Sequence, residues 1–369
     1  MLEKLDQINW KSLAHPYGSA EDVPDLIRDL TSLDDKVRHG AWISLYSSIY
    51  YNLEVCEATA LAVPFLLELI ESEAVPERDK ILNYLVDLAN ATWYFEQEWE
   101  ESELEEEYYG TEIKLNKEKN WVEETRLAVK KGIPIYRKML THSNPKIRSA
   151  AAYVLGNIGT QTEEVLKQLR GLLHTEQEPL VKASIILSLS KLRDQNSQTL
   201  AFMNQFIQEG YSLIGIASAI AILRCDPNHQ KAIRLLVFTL KNADEEMINL
   251  YKQLPPSIDV WLTREIFKSF YYLPKQQRLP YIPDLIAAFE KSEYGYLSLA
   301  WILLPIVFDK KEAKLSAQDL TNEQFSVLQS IANFDRLWKG GGDLMIDLEV
   351  YGLPNFRNQT EVKAYLNQI

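Results

Sequence analysis

The sequence has no apolar run long enough to cross a membrane, and it has only two cysteines among 369 residues. A transmembrane helix needs about 20 mostly apolar residues, whereas residues 298–308, one of the longest apolar stretches, are interrupted by Pro305. Cys56 and Cys225 lie far apart, which favours buried free thiols in a reducing compartment over a disulfide. The charged N-terminus lacks the apolar centre of a signal peptide. We therefore predict a cytoplasmic protein without a membrane span.

Motifs for metal binding and catalysis are also missing. None of the five histidines belongs to a ligand pattern that suggests a metal site on a helix. The chain has no nucleophile elbow, no P-loop and no dinucleotide fingerprint. The glycines at 340–342 are not followed by the Lys-Ser/Thr pair of a phosphate-binding loop. We expect no catalytic residue, no metal and no cofactor.

Basic charge is scarce in one part of the chain. Residues 1–110 hold 24 acidic and 7 basic side chains, whereas residues 111–369 hold 28 and 32. The acidic excess behind the net charge of −13 therefore lies in the first third. Nucleic-acid binding depends on neutralising phosphates with Lys and Arg, so this charge balance disfavours a nucleic-acid partner.

The sequence does contain a repeated pattern, D/N-x-x-V/I-R-x-x-A-x-x-x-L. It begins at Asp34 and returns at Asn144, and a weaker copy begins at Glu178. Asp34 and Asn144 stand where an N-cap opens a helix, because their side chains accept hydrogen bonds from free backbone N–H groups. Arg38 and Arg148 occupy the same position in the two clear copies. The pattern predicts a helix that is used repeatedly.

Prolines mark the helices expected before these repeated ones. Pro24, Pro64, Pro134 and Pro283 each open an apolar run with helical spacing, and proline is tolerated in the first turn of a helix. Each run, with the turn and helix that follow, makes a unit of about 30 to 40 residues, the period of an α-solenoid.

The repeated pattern resembles the second helix of a HEAT repeat, most closely over Asn144–Gly159. The resemblance implies an all-α, right-handed α-solenoid of about eight antiparallel helix pairs. It also implies that Arg38 and Arg148 pair with an acidic or polar residue of a neighbouring repeat. We divide the chain into N-terminal repeats at 1–95, an acidic insertion loop at 96–121, central repeats at 122–309 and an atypical C-terminal helical cap at 310–369.

One interval between the helix-opening prolines is longer than the repeat period. Pro24 and Pro64 are 40 residues apart, but Pro64 and Pro134 are 70 residues apart. Insertions in solenoids map to loops on one face, which is often the binding face. The additional residues include eight glutamates that we predict to contact a partner: Glu96, Glu98, Glu100, Glu101, Glu103, Glu105, Glu106 and Glu107.

An aromatic stripe lies in the first repeat. Trp42, Tyr46 and Tyr50 are spaced four residues apart, beside a predicted core seam that contains Val37 and Leu45. An aromatic stripe at helical spacing usually belongs to a core. Because the seam already supplies core residues, we predict that the stripe lines a concave surface and anchors a protein partner.

These features predict a non-enzymatic protein–protein interaction scaffold that binds a basic protein partner through its acidic N-terminal third. A toxin-neutralising immunity protein is the specific form suggested by the resemblance to bacterial HEAT-repeat proteins. The alternative is a HEAT-fold enzyme, either a DNA glycosylase or a bilin lyase. The sequence leaves the oligomeric state open.

Overall fold

A computed structural model describes residues 1–51, 53–91, 109–158, 162–255, 262–310, 314–339 and 348–368. The described residues are mostly helical, and the predicted all-α class is confirmed. They form two compact units, one made by residues 1–194 with 254–257 and the other by residues 195–253 with 258–369.

The first unit begins with short 3-10 turns at Leu5–Gln7 and Trp10–Ser12. Two small antiparallel hairpins pair strand β1 with β2 and strand β3 with β4: Ala14–His15 with Gly18–Ser19, and Tyr50–Tyr51 with Glu54–Val55. The helices of this unit are α1 Val23–Asp29, α2 Asp35–Ser48, α3 Thr59–Glu71, α4 Arg78–Ala89, α5 Tyr109–Lys130, α6 Ile133–Met139, α7 Pro145–Asn157, α8 Glu163–Thr175 and α9 Pro179–Lys191.

The described residues of the second unit form helices joined by loops and contain no strand, with 3-10 turns at Leu279–Tyr281, Ala317–Asp319 and Glu349–Tyr351. Its helices are α10 Ser197–Glu209, α11 Leu213–Leu223, α12 Gln230–Asn242, α13 Glu245–Tyr251, α14 Leu262–Tyr271, α15 Lys275–Arg278, α16 Ile282–Glu290, α17 Tyr296–Val307, α18 Asn322–Asn333, α19 Asp335–Trp338 and α20 Gln359–Leu366.

Consecutive helices of the first unit pack as pairs, α1 with α2, α3 with α4, α6 with α7 and α8 with α9. The second helices of successive pairs also pack on one another, as α4 does on α7 and α7 on α9. Asp34 accepts a hydrogen bond from the Lys36 N–H at 2.9 Å, and Asn144 accepts one from the Lys146 N–H at 2.9 Å. These side chains cap α2 and α7, and the repeated pattern therefore marks the start of a second helix.

Two helix boundaries differ from those that the sequence suggested. Pro64 lies inside α3, which begins at Thr59, because Thr59 and Ala62 are buried and extend the helix toward the N-terminus. Helix α5 begins at Tyr109, inside the range 96–121 that we had assigned to the insertion loop. Its later turns bury Val122 and Val129 against the unit, which favours a continuous helix.

Small residues allow α7 and α9 to approach closely. The hydroxyl groups of Ser149 and Ser184 form a hydrogen bond of 2.6 Å between the two helices. A Cβ atom placed on Gly156 would lie 2.6 Å from Cβ and 2.7 Å from Cα of Ser188. No side chain fits at Gly156 unless the two helices separate.

Two arginines of the repeated pattern join successive helix pairs. Arg38 donates to the Ser32 carbonyl in its own turn at 2.7 Å, and its Nε lies 3.3 Å from Glu77, which directly precedes α4. Arg148 donates to the His142 carbonyl at 2.8 Å. Its guanidinium holds both carboxylate oxygens of Glu176 at 2.8 and 3.0 Å. Each arginine thus links its own turn to a glutamate near the start of the next second helix.

A third arginine, Arg78, also links successive helix pairs, and sequence reasoning did not identify it. Arg78 opens α4, donates to Glu73 at 2.6 Å, and lies 2.9 Å from Nε2 of His142 in the turn before α7. The spacing of Arg78, Ile81 and Leu85 matches the arginine, alanine and leucine positions of the repeated pattern. This spacing could have identified Arg78 as a further copy of the pattern. The copy is imperfect, because Ile81 replaces the alanine and no capping residue stands four residues before Arg78.

We expect Gly156→Ala to destabilise the protein by about 1–3 kcal/mol, because overpacking between α7 and α9 exceeds the gain in helix propensity. The control is Gly171→Ala in α8, where an added Cβ would meet nothing within 4 Å. That change should stabilise the fold by up to about 1 kcal/mol. Urea unfolding of the two variants measures both values, and equal effects would contradict the close approach.

We expect Arg148→Met to reduce the free energy of unfolding by about 3 kcal/mol, because it leaves the carboxylate of Glu176 without its buried partner. Only 15% of the Arg148 side chain and 7% of the Glu176 side chain are exposed. Arg28→Met is the control, since Arg28 pairs with the exposed carboxylate of Asp25, and such pairs contribute under about 1 kcal/mol. Denaturant unfolding should separate the two, and similar losses would refute the linking role of Arg148.

Stability should also depend on pH through Glu176. Burial favours its neutral form, but hydrogen bonds from Arg148 and from the N–H groups of Glu178 and Gln177 outweigh burial and lower the pKa of Glu176. A group whose pKa is depressed by folding stabilises the protein above its unfolded pKa of about 4.3, and this stabilisation is lost as the pH falls through the folded pKa. Urea unfolding below about pH 4.5 should therefore show falling stability, and Glu176→Gln should flatten part of the fall. An unchanged slope would contradict this assignment.

Candidate functional site

The aromatic stripe of the first repeat packs against the next helix pair. The ring of Tyr84 on α4 lies 5.6 Å from Trp42, 4.6 Å from Tyr46 and 6.3 Å from Tyr50 between ring centroids, each edge to face. Edge-to-face pairs at these distances are attractive beyond the apolar area that they bury. The four rings form one cluster between α2 and α4, and Tyr84 at its centre is fully buried.

Carboxylates lie at two polar tips of this cluster. The hydroxyl of Tyr46 donates to Asp87 at 2.7 Å, and the indole N–H of Trp42 donates to Glu77 at 3.4 Å. Burial raises the pKa of Tyr46, and the charge of Asp87 raises it further, so the phenol stays protonated and remains a donor. Glu77 has a backbone φ of 52°, a conformation that costs a non-glycine residue about 1–2 kcal/mol. The surrounding contacts therefore hold Glu77 in place.

The structure brings the three predicted aromatic residues together, but in an arrangement that the sequence did not reveal. Only 9% of Trp42 is exposed, so this side chain is packed between helices, whereas Tyr46 and Tyr50 are half-buried. Helix α2 ends at Ser48, and Tyr50 begins strand β3 instead of continuing the helical stripe. Sequence reasoning missed Asp87, which is three residues beyond Tyr84 on the same helix.

The predicted core seam is only partly buried. Leu45 is fully buried, but Val37 is 38% exposed, so its assignment to the core was wrong. The eight glutamates predicted to contact a partner, from Glu96 to Glu107, lie outside the described residues.

Negative charge dominates the described surface of the N-terminal third. Its three arginines, Arg28, Arg38 and Arg78, each form ion pairs with carboxylates of the same unit. Only four lysines of residues 1–91 are exposed: Lys4, Lys11, Lys36 and Lys80. The exposed carboxylates in the same range are Glu3, Asp6, Glu21, Asp22, Asp25, Asp29, Asp34, Asp35, Glu57, Glu71 and Glu73.

An open pocket of about 280 Å³ lies where α4 and α7 end, lined by Asn90, Arg126, Lys130 and Asn157 together with Ala89 and Ile158. Arg126 donates to the carbonyls of Ala89 at 3.3 Å and Ala91 at 3.0 Å, so its guanidinium ties α5 to the end of α4. Within the described ranges, no three His, Cys, Asp or Glu side chains are grouped to hold a metal ion. None of the described helices is both long and apolar enough to cross a membrane.

Comparison with known proteins identifies part of the chain. Residues 124–190 match the family model of HEAT repeats, and no curated protein sequence matches the chain. Among solved structures, the chain is similar to one in the complex of CpcE and CpcF of phycocyanin lyase from Nostoc sp. That likeness has 16% identity and a TM-score of 0.49, and it covers 84% of this chain and 93% of the other. A second likeness, to an engineered protein, has 16% identity and a TM-score of 0.34, with 85% and 89% covered.

At these TM-scores neither structural likeness carries an argument about this chain. The match to the family model includes α6 to α9 and the second clear copy of the repeated pattern, from Asn144 to Leu155. The assignment to HEAT repeats made from the sequence is confirmed there, and residues 124–190 of this chain are HEAT repeats.

Proposed function

We propose that this protein is a non-enzymatic scaffold that binds a basic surface on a protein partner through its acidic N-terminal third. The observation that carries the proposal is the surface charge of residues 1–91, where four of the eleven exposed carboxylates pair with arginines and the other seven stand against four exposed lysines. Complementary charge speeds encounter between proteins and is screened by salt. A partner that uses this surface should therefore bind best at low ionic strength.

The half-buried part of the aromatic cluster supplies the second element of the proposed surface. Tyr46 and Tyr50 present aromatic rings close to the carboxylate of Asp87. A lysine or arginine of the partner placed there would gain a cation–π contact and a charged hydrogen bond at one position. Trp42 supports these rings from within the α2–α4 interface. The eight glutamates from Glu96 to Glu107, which lie outside the described residues, add to the negative charge of the N-terminal third, and the proposal includes them as partner contacts.

A narrower form of the proposal is a toxin-neutralising immunity protein. Toxins that act on nucleic acids need basic surfaces to neutralise phosphates, and an acidic surface is complementary to these. This form rests on charge complementarity and on the resemblance to bacterial HEAT-repeat proteins.

The test neutralises the eight glutamates of residues 96–107 to glutamine and captures partners from a lysate of the native host, with identification by mass spectrometry. We expect the captured partner to be depleted about tenfold or more by this change. Raising the salt from about 0.01 M to about 1 M should deplete it similarly, because the Debye length falls from about 30 Å to about 3 Å. The control neutralises exposed glutamates of the second unit: Glu209, Glu245, Glu246 and Glu293.

Retention of the same proteins at every salt concentration and by every variant would contradict a charge-driven surface. Release of a free base from alkylated DNA by the purified chain, or attachment of a bilin to an acceptor protein, would contradict the non-enzymatic part. Those outcomes would favour the DNA glycosylase or the bilin lyase instead.

A further inference from the structure

Helix α2 leaves one side open at the beginning of the first unit. Val37 and Ile43 are 38% and 57% exposed, and a Cβ atom on Gly40 would meet no atom of the described residues within 4 Å. Ser44 and Ser47 follow Gly40 by four and seven residues and therefore lie on the same side of the helix. We name this surface, formed by Val37, Gly40, Ile43, Ser44 and Ser47, the α2 open face.

Three of the five positions of this face are buried in the later repeat. The repeated pattern aligns Val37 with Ile147, Gly40 with Ala150 and Ser44 with Val154. These three residues of α7 are 4%, 1% and 0% exposed, and α4 packs on α7. The residues that align with Ile43 and Ser47, Tyr153 and Asn157, are half-buried. The α2 open face therefore has the shape and composition of a surface on which another helix stacks.

The described residues before α1 pack elsewhere. The ring of Trp10 lies 6.3 Å from Phe65 on α3, and the backbone N–H of Leu2 donates to Glu68 on the same helix. Among the described residues, the valine, the isoleucine and the glycine of the α2 open face are therefore left uncovered, which indicates a surface for a partner.

The negative charge of the segment that contains α2 indicates what kind of partner the α2 open face would bind. Between residues 21 and 51, six carboxylates are exposed, of which Asp25 and Asp35 pair with arginines. The other four stand against Lys36, the one exposed lysine or arginine. Asp29 on α1 is exposed where the aligned Met139 on α6 is buried, so a carboxylate replaces an apolar side chain at that position. A second copy of the chain would bring the same acidic rim, and residues 96–107 would bring eight more glutamates. A helix with basic flanks is the complementary occupant.

We propose that the α2 open face is a docking site for an amphipathic helix of a protein partner, with its apolar side on Val37, Gly40 and Ile43 and with lysine or arginine on its flanks. The proposal deepens and rests on the proposed binding of a basic partner. Gly40 allows the close helix approach that Ala150 allows in α7. The partner's helix would then stack on α2 as α4 stacks on α7.

The probe is a peptide with the sequence of residues 78–89, which is the α4 helix, held helical by a hydrocarbon staple and carrying Asp79→Lys and Asp87→Lys. A matched peptide carries Arg78→Glu and Lys80→Glu instead. Fluorescence anisotropy with the full chain should show that the basic peptide binds at least about tenfold more tightly than the acidic one. Ile43→Asp in the chain should weaken binding of the basic peptide about tenfold or more, since it removes a buried isoleucine contact.

Two further variants keep the test decisive. Leu127→Asp is the matched control, because Leu127 on α5 is also 57% exposed, and it should leave peptide binding unchanged. Gly40→Leu should weaken binding about tenfold by blocking close approach. It should also raise the melting temperature of the chain by improving the helix propensity of α2, so a loss of binding cannot be attributed to unfolding.

Equal binding of the two peptides, no binding of either, or binding that Ile43→Asp and Gly40→Leu leave unchanged would overturn the proposal. So would a concentration-dependent dimer of the chain that Ile43→Asp abolishes, because the occupant would then be a second copy. If the peptides do not bind the α2 open face as expected while partner capture still depends on the acidic residues, the proposed function stands without this site. If partner capture fails while the peptides bind as expected, the docking face stands without that function.

Discussion

A charged contact between successive helix pairs holds the first unit together. Arg148 and Glu176 form this contact in its most buried form, with two hydrogen bonds of 2.8 and 3.0 Å, and Arg38 and Glu77 form a similar contact two helix pairs earlier. Apolar contacts have little directional preference, so polar contacts add specificity to the stacking of helices that approach through small residues such as Gly156. A guanidinium that donates to a carbonyl of its own turn and to a carboxylate of the next helix pair constrains both the register and the spacing of the two pairs.

Ion pairs of this kind also affect the net charge on the surface of the N-terminal third. Because Arg28, Arg38 and Arg78 are engaged in ion pairs within the unit, they contribute little free positive charge to the outside. The remaining exposed carboxylates then set the sign of the field. The same arginines thus contribute to the packing of the unit and leave its described surface with an excess of carboxylates.

Sequence reasoning succeeded where the deciding forces are local. The caps of α2 and α7 follow from a side chain bonding to a backbone N–H two residues away, and a pattern of residues is sufficient to anticipate them. It failed where distant packing decides. Pro64 was placed at a helix start, although burial of preceding residues extends α3 past it, and Val37 was placed in a core although no described helix covers it.

The repeat pattern alone was sufficient for the all-α class, for the HEAT repeats at 124–190 and for the starts of the second helices, because propensity, capping and apolar spacing act within a few residues. The partners of Trp42, Tyr46 and Arg38 were decided only by tertiary structure. Tyr84, Asp87 and Glu77 lie 35 to 42 residues away along the chain and meet these side chains only when α4 stacks on α2. The exposure of Val37 was likewise decided by tertiary structure, since Val37 is 38% exposed whereas the aligned Ile147 in α7 is 4% exposed.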